Sequence, residues 1–266
     1  MAQISKMELE IRETPQVIER ILENKAQFVE IVSRIKSEKI QSVMIAARGT
    51  SDNAAHYLKH LIEVELGIPV GLASPSVASI YNSKLNYQEA LIVALSQSGQ
   101  SPDLVTYLKA ARAGNGLTLA ITNDASSPLA KTAELHLDLL AGKEIAVAAT
   151  KSYTAQLFTS FLLVKFWRDD EVEFSSIAIE AKRLLDELGA IDIVLGGLGK
   201  DSSIVVIGRG YSYGNARELA LKIQETSHIT VQGMSAADYL HGPIAVAKYR
   251  DWETGAIEIK SGYGLS

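Results

Sequence analysis

VMIAARGTSDNAAHYLKHLI, residues 43–62, reads as a buried strand, a four-residue loop and an amphipathic helix. IVVIGRGYSYGNARELALKI, residues 204–223, lines up with it at an offset of 161 residues. Arg48/Arg209, Gly49/Gly210, Ser51/Ser212, Ala55/Ala216, Leu58/Leu219 and Ile62/Ile223 coincide. Any strand–loop–helix unit resembles another to some degree, but the order of elements also repeats. In both copies the helix is followed by a short strand and then a helical patch, which supports an internal duplication.

Working outward, short apolar runs alternate with amphipathic stretches. IPVGLA (68–73), ALIVAL (90–95), GLTLAIT (116–122) and ELHLDLL (134–140) read as further strands. Helices are expected from about Asp52 to Leu66, up to Ala113, and from about Thr150 to Trp167. Continuous apolar strands separated by helices predict an α/β fold with a doubly wound parallel sheet covered on both faces. The first 40 residues read as helix, with Pro15 placed for a helix start. Glu171 to Leu198 reads as a connecting helix closed by a Gly196-Gly197 turn. The expected organisation is a helical segment (1–40), a first α/β domain (41–170), a connector (171–200) and a partial second copy (201–266). The first copy takes Val43 to Trp167 to complete its sheet, whereas Ile204 to Ser266 leaves room for fewer strands, with one weak candidate at Ala256–Lys260. A truncated or frame-shifted second copy would read this way.

Composition narrows the function. The 266 residues hold no cysteine, which removes disulfides, thiolate metal sites and a cysteine nucleophile. A net charge of −5, from 26 basic and 31 acidic residues, argues against a phosphate backbone as the main partner. No apolar run reaches the roughly 18–20 residues of a membrane span, and MAQISKMELEIRE lacks the apolar core of a signal peptide. A cytoplasmic protein, with neither nucleic acid nor membrane as partner, is the expectation.

Two loops stand out. RGTS (48–51) and SQSGQS (96–101) each follow a buried strand and lead into a helix. Ligands of open parallel sheets bind at the carboxyl ends of the strands, and a helix N-terminus favours an anion. Either loop alone reads as an N-cap, since Ser and Thr are preferred there. Two such loops from neighbouring strands converge on one crevice and read as a phosphate site. Neither matches a dinucleotide or P-loop pattern, so a small phosphorylated metabolite is favoured over a nucleotide. Of the five histidines, His56 and His60 have metal-ligand spacing without a third ligand, and read better as a surface pair. In the second copy, Lys222 and Glu225 share a helix face, and His241 follows in an HGP turn. On spacing alone these read as a surface ion pair and a loop residue, although they also suffice for proton transfer on a sugar.

Together RGTS, LSQSGQSPD, KEIAVAATKSYTAQL, RG-Y-x-x-A-x-E-x-A-L-K-x-x-E-T-S and D-x-L-HGP resemble the sugar isomerase (SIS) family over about residues 40–247. They look most like the isomerase half of glucosamine-6-phosphate synthases and the stand-alone deaminase and deglycase relatives. The resemblance implies an SIS fold with one complete and one incomplete copy, and an amino-sugar phosphate or other sugar phosphate as ligand. It implies that Thr50, Ser51, Ser96, Gln97, Ser98 and Ser101 hold the phosphate, while Val147 and Ala148 line the pocket through their backbone. Glu225 would be the base that moves a proton between C1 and C2 through a cis-enediol. His241 would assist ring opening, in its own or the neighbouring subunit's site, and Lys222 would support Glu225 or a hydroxyl. No metal or organic cofactor is implied, and a homodimer is. The expected activity is isomerisation, deamination or deglycation. Phosphosugar binding without turnover is the alternative, and an inactive remnant a third. Gln100 stands where the synthases have an acid, KSGYGLS does not match their lysine-bearing C-terminal segment, and the missing cysteine excludes glutaminase chemistry in this chain.

Overall fold

The computed structural model describes residues 4–171, 174–187 and 204–245. The chain divides into two compact units, Met1–Lys182 and Arg183–Ser266.

The first unit opens with α1 (Lys6–Arg12), α2 (Thr14–Glu23) and α3 (Ala26–Lys36). The helical start is thus divided by Glu13 and by Asn24-Lys25. Ser5 caps α1 by accepting from the Glu8 amide, and Pro15 occupies the first turn of α2, where its missing N–H is harmless. Val17, Ile18 and Ile21 of α2 and Phe28, Ile31, Val32 and Ile35 of α3 form the buried stripe. It packs on α8 (Lys151–Trp167), where Phe28 stacks on Phe166 with ring centroids 5.6 Å apart.

Five strands, β1 (Ser42–Ala46), β2 (Val70–Leu72), β3 (Ala90–Ser96), β4 (Leu117–Thr122) and β5 (Leu135–Asp138), form one sheet. The order is β2-β1-β3-β4-β5, and every pairing is parallel. Every residue of β3 and β4 is buried, as an all-parallel sheet covered on both faces requires. The helices are α4 (Thr50–Leu66), α5 (Ser76–Ser79), α6 (Pro102–Ala113), α7 (Pro128–Thr132) and α8. Leu104, Tyr107, Leu108 and Ala111 of α6 share a core with Ala90, Ile92, Ala94 and Ala120 of the sheet. The helical period of 3.6 and the strand period of 2 bring these sets face to face.

In α9 (Ser175–Asp186) the chain crosses from the first unit to the second. Beyond it the second unit comprises β6 (Ile204–Gly208), α10 (Tyr211–Ser227), β7 (Val231–Ser235) and α11 (Ala236–Leu240). The duplication is visible at backbone level. The helices α4 and α10 are both 17 residues long. The parallel pair β1/β2 aligns Val43 with Val70, and β6/β7 aligns Ile204 with Val231, the equivalent positions. Gly49 has φ 56° and ψ −129°, and Gly210 has φ 58° and ψ −129°. Both helices also end in a left-handed residue, Gly67 at φ 67° and His228 at φ 55°. Val206, Ala216, Ala220 and Val231 form the core of the described part of this copy. The Gly196-Gly197 turn and the candidate strand Ala256–Lys260 lie outside the described residues.

Candidate functional site

In the order β2-β1-β3-β4-β5 the direction of winding reverses between β1 and β3, which opens a crevice beyond their carboxyl ends. The two hydroxyl-rich loops leave the sheet there. In register, Ala46 at the end of β1 pairs with Ala94, two residues before β3 ends at Ser96. Arg48 of the first loop reaches Asp103 at the start of α6, with Nη2 2.6 Å and Nε 2.9 Å from Oδ2. Burial pushes the Asp103 carboxyl up, but the Ser101 hydroxyl, the Arg48 guanidinium and the Leu104 amide outweigh it and hold the group below the ordinary carboxylate range.

Neither N-cap position makes a side-chain capping bond. Gly49 occupies the N-cap of α4, and Ser101, at the N-cap of α6, makes no capping bond. Its hydroxyl instead donates to Asp103 Oδ1 at 2.6 Å. Ser96 Oγ accepts from the Gly99 amide at 3.1 Å and Ser98 Oγ from the Gln100 amide at 3.3 Å, so these hydroxyls shape the loop. Gly99 has φ 61°, and a Cβ there would lie 2.2 Å from Ser127 Oγ, so the turn admits only glycine. The loop is braced from the next strand by Asn123 N to Gln97 O at 3.0 Å and Leu129 N to Gly99 O at 3.1 Å. Ser51 is buried, and its Oγ accepts from Gln156 Nε2 of α8 at 3.0 Å. Ser98 is exposed, and Thr50, Gln97 and Ser101 are half-buried.

The segment between β5 and α8, which carries Val147 and Ala148, is held by charged side chains. Glu10 of α1, 5% exposed, accepts from the amides of Ile145 and Ala146, the latter at 3.0 Å. Lys151 Nζ, buried, lies 2.5 Å from Glu13 Oε2 and donates to Lys143 O at 2.7 Å. Glu144 accepts from the amides of Thr150 and Ser152 at 2.9 and 3.1 Å, and from both hydroxyls. Ala148 is buried and Val147 fully exposed.

The second unit carries the remaining candidates. Lys222 Nζ lies 2.5 Å from Glu225 Oε2 and 3.3 Å from Glu218 Oε1, so one ammonium joins two carboxylates along α10. Glu218 is buried and Glu225 exposed. His241 ends α11, exposed, with its amide donating to Asp238 O at 3.1 Å. In the first unit His60 Nδ1 donates to the His56 carbonyl at 2.7 Å. Among the described residues no group of three or more His, Asp or Glu side chains is arranged to hold a metal ion. No helix among them is long and apolar enough to cross a membrane.

Arg48, Asp103, Gln156, Glu10 and Glu13 were not marked out by sequence. Arg48 and Asp103 sit inside the quoted motifs, but only the pairing of β1 with β3 reveals that they meet.

A five-stranded parallel sheet with helices between its strands places the first unit in the doubly wound α/β class. The SIS domain model matches residues 36–165 and 197–251, and the chain belongs to that family. It is 33% identical over 245 residues to the glutamine–fructose-6-phosphate aminotransferase (isomerizing) of Methanothermobacter thermautotrophicus. Against the enzyme of the same name from Sulfolobus acidocaldarius it is 30% identical over 242 residues. Each match takes in 89% of this chain and 40% of the relative, so the chain spans about two fifths of the length of these curated relatives. Among solved structures, a candidate phosphosugar isomerase from Silicibacter pomeroyi DSS-3 superposes with a TM-score of 0.81 at 33% identity, covering 92% of this chain and 76% of that one. The glucosamine-6-phosphate deaminase of Thermotoga maritima shares the fold, with a TM-score of 0.69 at 22% identity over 91% of this chain and 73% of its own.

Proposed function

We propose that the chain binds a phosphorylated sugar or amino sugar, its phosphate at the β1/β3 crevice, and catalyses enediol proton transfer on the open-chain form. The observation that carries the reading is the pair of hydroxyl-rich loops side by side at the switch point, each leading into a helix whose N-cap side chain makes no capping bond. Backbone amides at a helix N-terminus and serine hydroxyls are donors that the oxygens of an anion can satisfy, and the positive ends of two helix dipoles favour negative charge. Thr50, Ser51, Ser96, Gln97, Ser98 and Ser101 form the phosphate site, and Val147 and Ala148 line the sugar through their backbone. An anchored phosphate sets the register of the carbon chain.

In this reading Glu225 removes the proton at C2 of the aldose and returns it at C1. The electron pair passes through a cis-enediolate whose oxygen needs a donor. Lys222, beside Glu225 at 2.5 Å, supports the carboxylate or that oxygen, and His241 assists ring opening. A homodimer in which His241 serves the neighbouring subunit's site belongs to the same proposal. In deamination or deglycation the proton transfer leaves an imine, to which water adds, so that the C–N bond breaks, the amine leaves and a carbonyl takes its place.

The test is incubation with glucosamine 6-phosphate, following fructose 6-phosphate and ammonia, together with incubation with fructose 6-phosphate in deuterated water, following label at C1 and C2. Product or exchange that disappears in Glu225→Gln supports the mechanism, and activity that survives in Glu225→Gln refutes it. Thermal stabilisation by sugar phosphates with neither product nor exchange identifies a binding module instead. Sedimentation as a monomer removes the shared site.

A further inference from the structure

Gln156 lies in the middle of α8, 0% exposed, and is used by nothing in the reaction described above. A buried primary amide has two donors and two acceptor lone pairs to satisfy, and one left unmade is costly. Its Nε2 donates to Ser51 Oγ at 3.0 Å, whereas its Oε1 has no hydrogen-bond partner among the described residues. The amide therefore faces Ser51 with its donor side although its acceptor side stays empty.

That orientation has a chemical consequence for Ser51. A serine hydroxyl offers one hydrogen and two lone pairs. With a lone pair occupied by the Gln156 amide, the Ser51 hydrogen is free to point away from α8, and it has no acceptor among the described residues. Were the amide reversed, Oε1 would accept that hydrogen, and the hydroxyl would present only lone pairs to an approaching anion. We infer that Gln156 is a positioning residue that holds the Ser51 hydroxyl as a hydrogen donor toward a phosphate oxygen. The inference rests on the phosphate-loop reading and deepens it, because it names the residue that sets the polarity of one contact.

The experiment is a double-mutant cycle on the full chain with Ser51→Ala, Gln156→Met and the double variant, titrated calorimetrically with inorganic phosphate and with fructose 6-phosphate. Gln156→Asn, which withdraws the amide by one methylene, serves where Gln156→Met does not fold. A hydrogen bond to a charged acceptor supports about a tenfold change in Kd. Both single variants are expected to lose about that factor, and the double variant no more than either. A mere packing role for Gln156 moves the melting temperature without coupling to Ser51. Wild-type phosphate affinity in the Gln156 variant, or losses that multiply in the double variant, overturns the assignment while leaving the phosphate loop standing. Unchanged phosphate affinity in Ser51→Ala overturns both.

Discussion

Replacing Gly49 by alanine isolates the conformational cost of the first loop. At φ 56° and ψ −129° the residue sits where a side chain is strained, yet a Cβ built there meets nothing within 4 Å. The penalty is therefore local to the backbone. Such sparsely populated conformations cost of order 1–3 kcal/mol. Alanine returns about 0.4–1 kcal/mol by restricting the unfolded chain. The central net loss expected is about 1.3 kcal/mol, or roughly 0.5 M in urea midpoint at a slope of about 2–3 kcal/mol per M. Gly99→Ala adds collision to strain, since its Cβ would lie 2.2 Å from Ser127 Oγ and 2.6 Å from Ser127 Cβ. It should cost distinctly more. Urea unfolding followed by circular dichroism ranks the two. A Gly49→Ala loss below about 0.5 kcal/mol, or one equal to that of Gly99→Ala, would refute the argument from the dihedrals.

Three further outcomes are expected. Asp103→Asn should cost no more than about 1 kcal/mol of stability, because its ion pair with Arg48 is partly exposed, while weakening phosphate affinity measurably by freeing the loops from each other. Because the Asp103 carboxyl is held below its ordinary value of 3.8, its contribution is full above that value and lost as pH falls through the lower folded value, a dependence that acid titration of the Asn variant should lack. Burial holds the His136 imidazole below its ordinary value of 6.5, with Asp138 and Asp124 opposing, so the first unit should lose stability as pH falls below that value, and His136→Gln should flatten this slope in thermal melts. Glu13→Gln leaves the buried Lys151 ammonium without its carboxylate and should cost about 3 kcal/mol in urea unfolding, more than Lys151→Met, which leaves an exposed glutamate that water can solvate.

The sheet was legible because its signals are local. ALIVAL and GLTLAIT are apolar throughout, and β3 and β4 are buried throughout at Ala90–Ser96 and Leu117–Thr122. The repeat was legible because Gly49/Gly210 and the helix faces recur in step. The short helices Ser76–Ser79 and Pro128–Thr132 are too brief to show a period. Long-range polar contacts left no local trace. Glu10 and Glu13 look like any acidic residues on an exposed helix, yet they hold a segment more than a hundred residues away. Gln156 lies in a helix whose buried face mixes polar Ser152, Thr159 and Ser160 with apolar residues, a pattern without amphipathic contrast. The hydroxyl loops read as caps or as a ligand site from sequence, and at Gly49 and Ser101 the N-cap side chains make no capping bond.

The clamp between the N-terminal helices and the segment before α8 also bears on how the chain is made. Glu10 and Ala146 are 136 residues apart, and Glu13 and Lys151 are 138. At synthesis rates of about 5–20 residues per second, the partners of α1 and α2 emerge from the ribosome roughly 7–30 s after the helices themselves. Throughout that interval Val17, Ile18 and Ile21 have no α8 to pack on. The earliest part of the first unit to be synthesised is thus among the last to be secured. A nascent chain halted before α8 would present an apolar helix face to whatever binds unfolded protein.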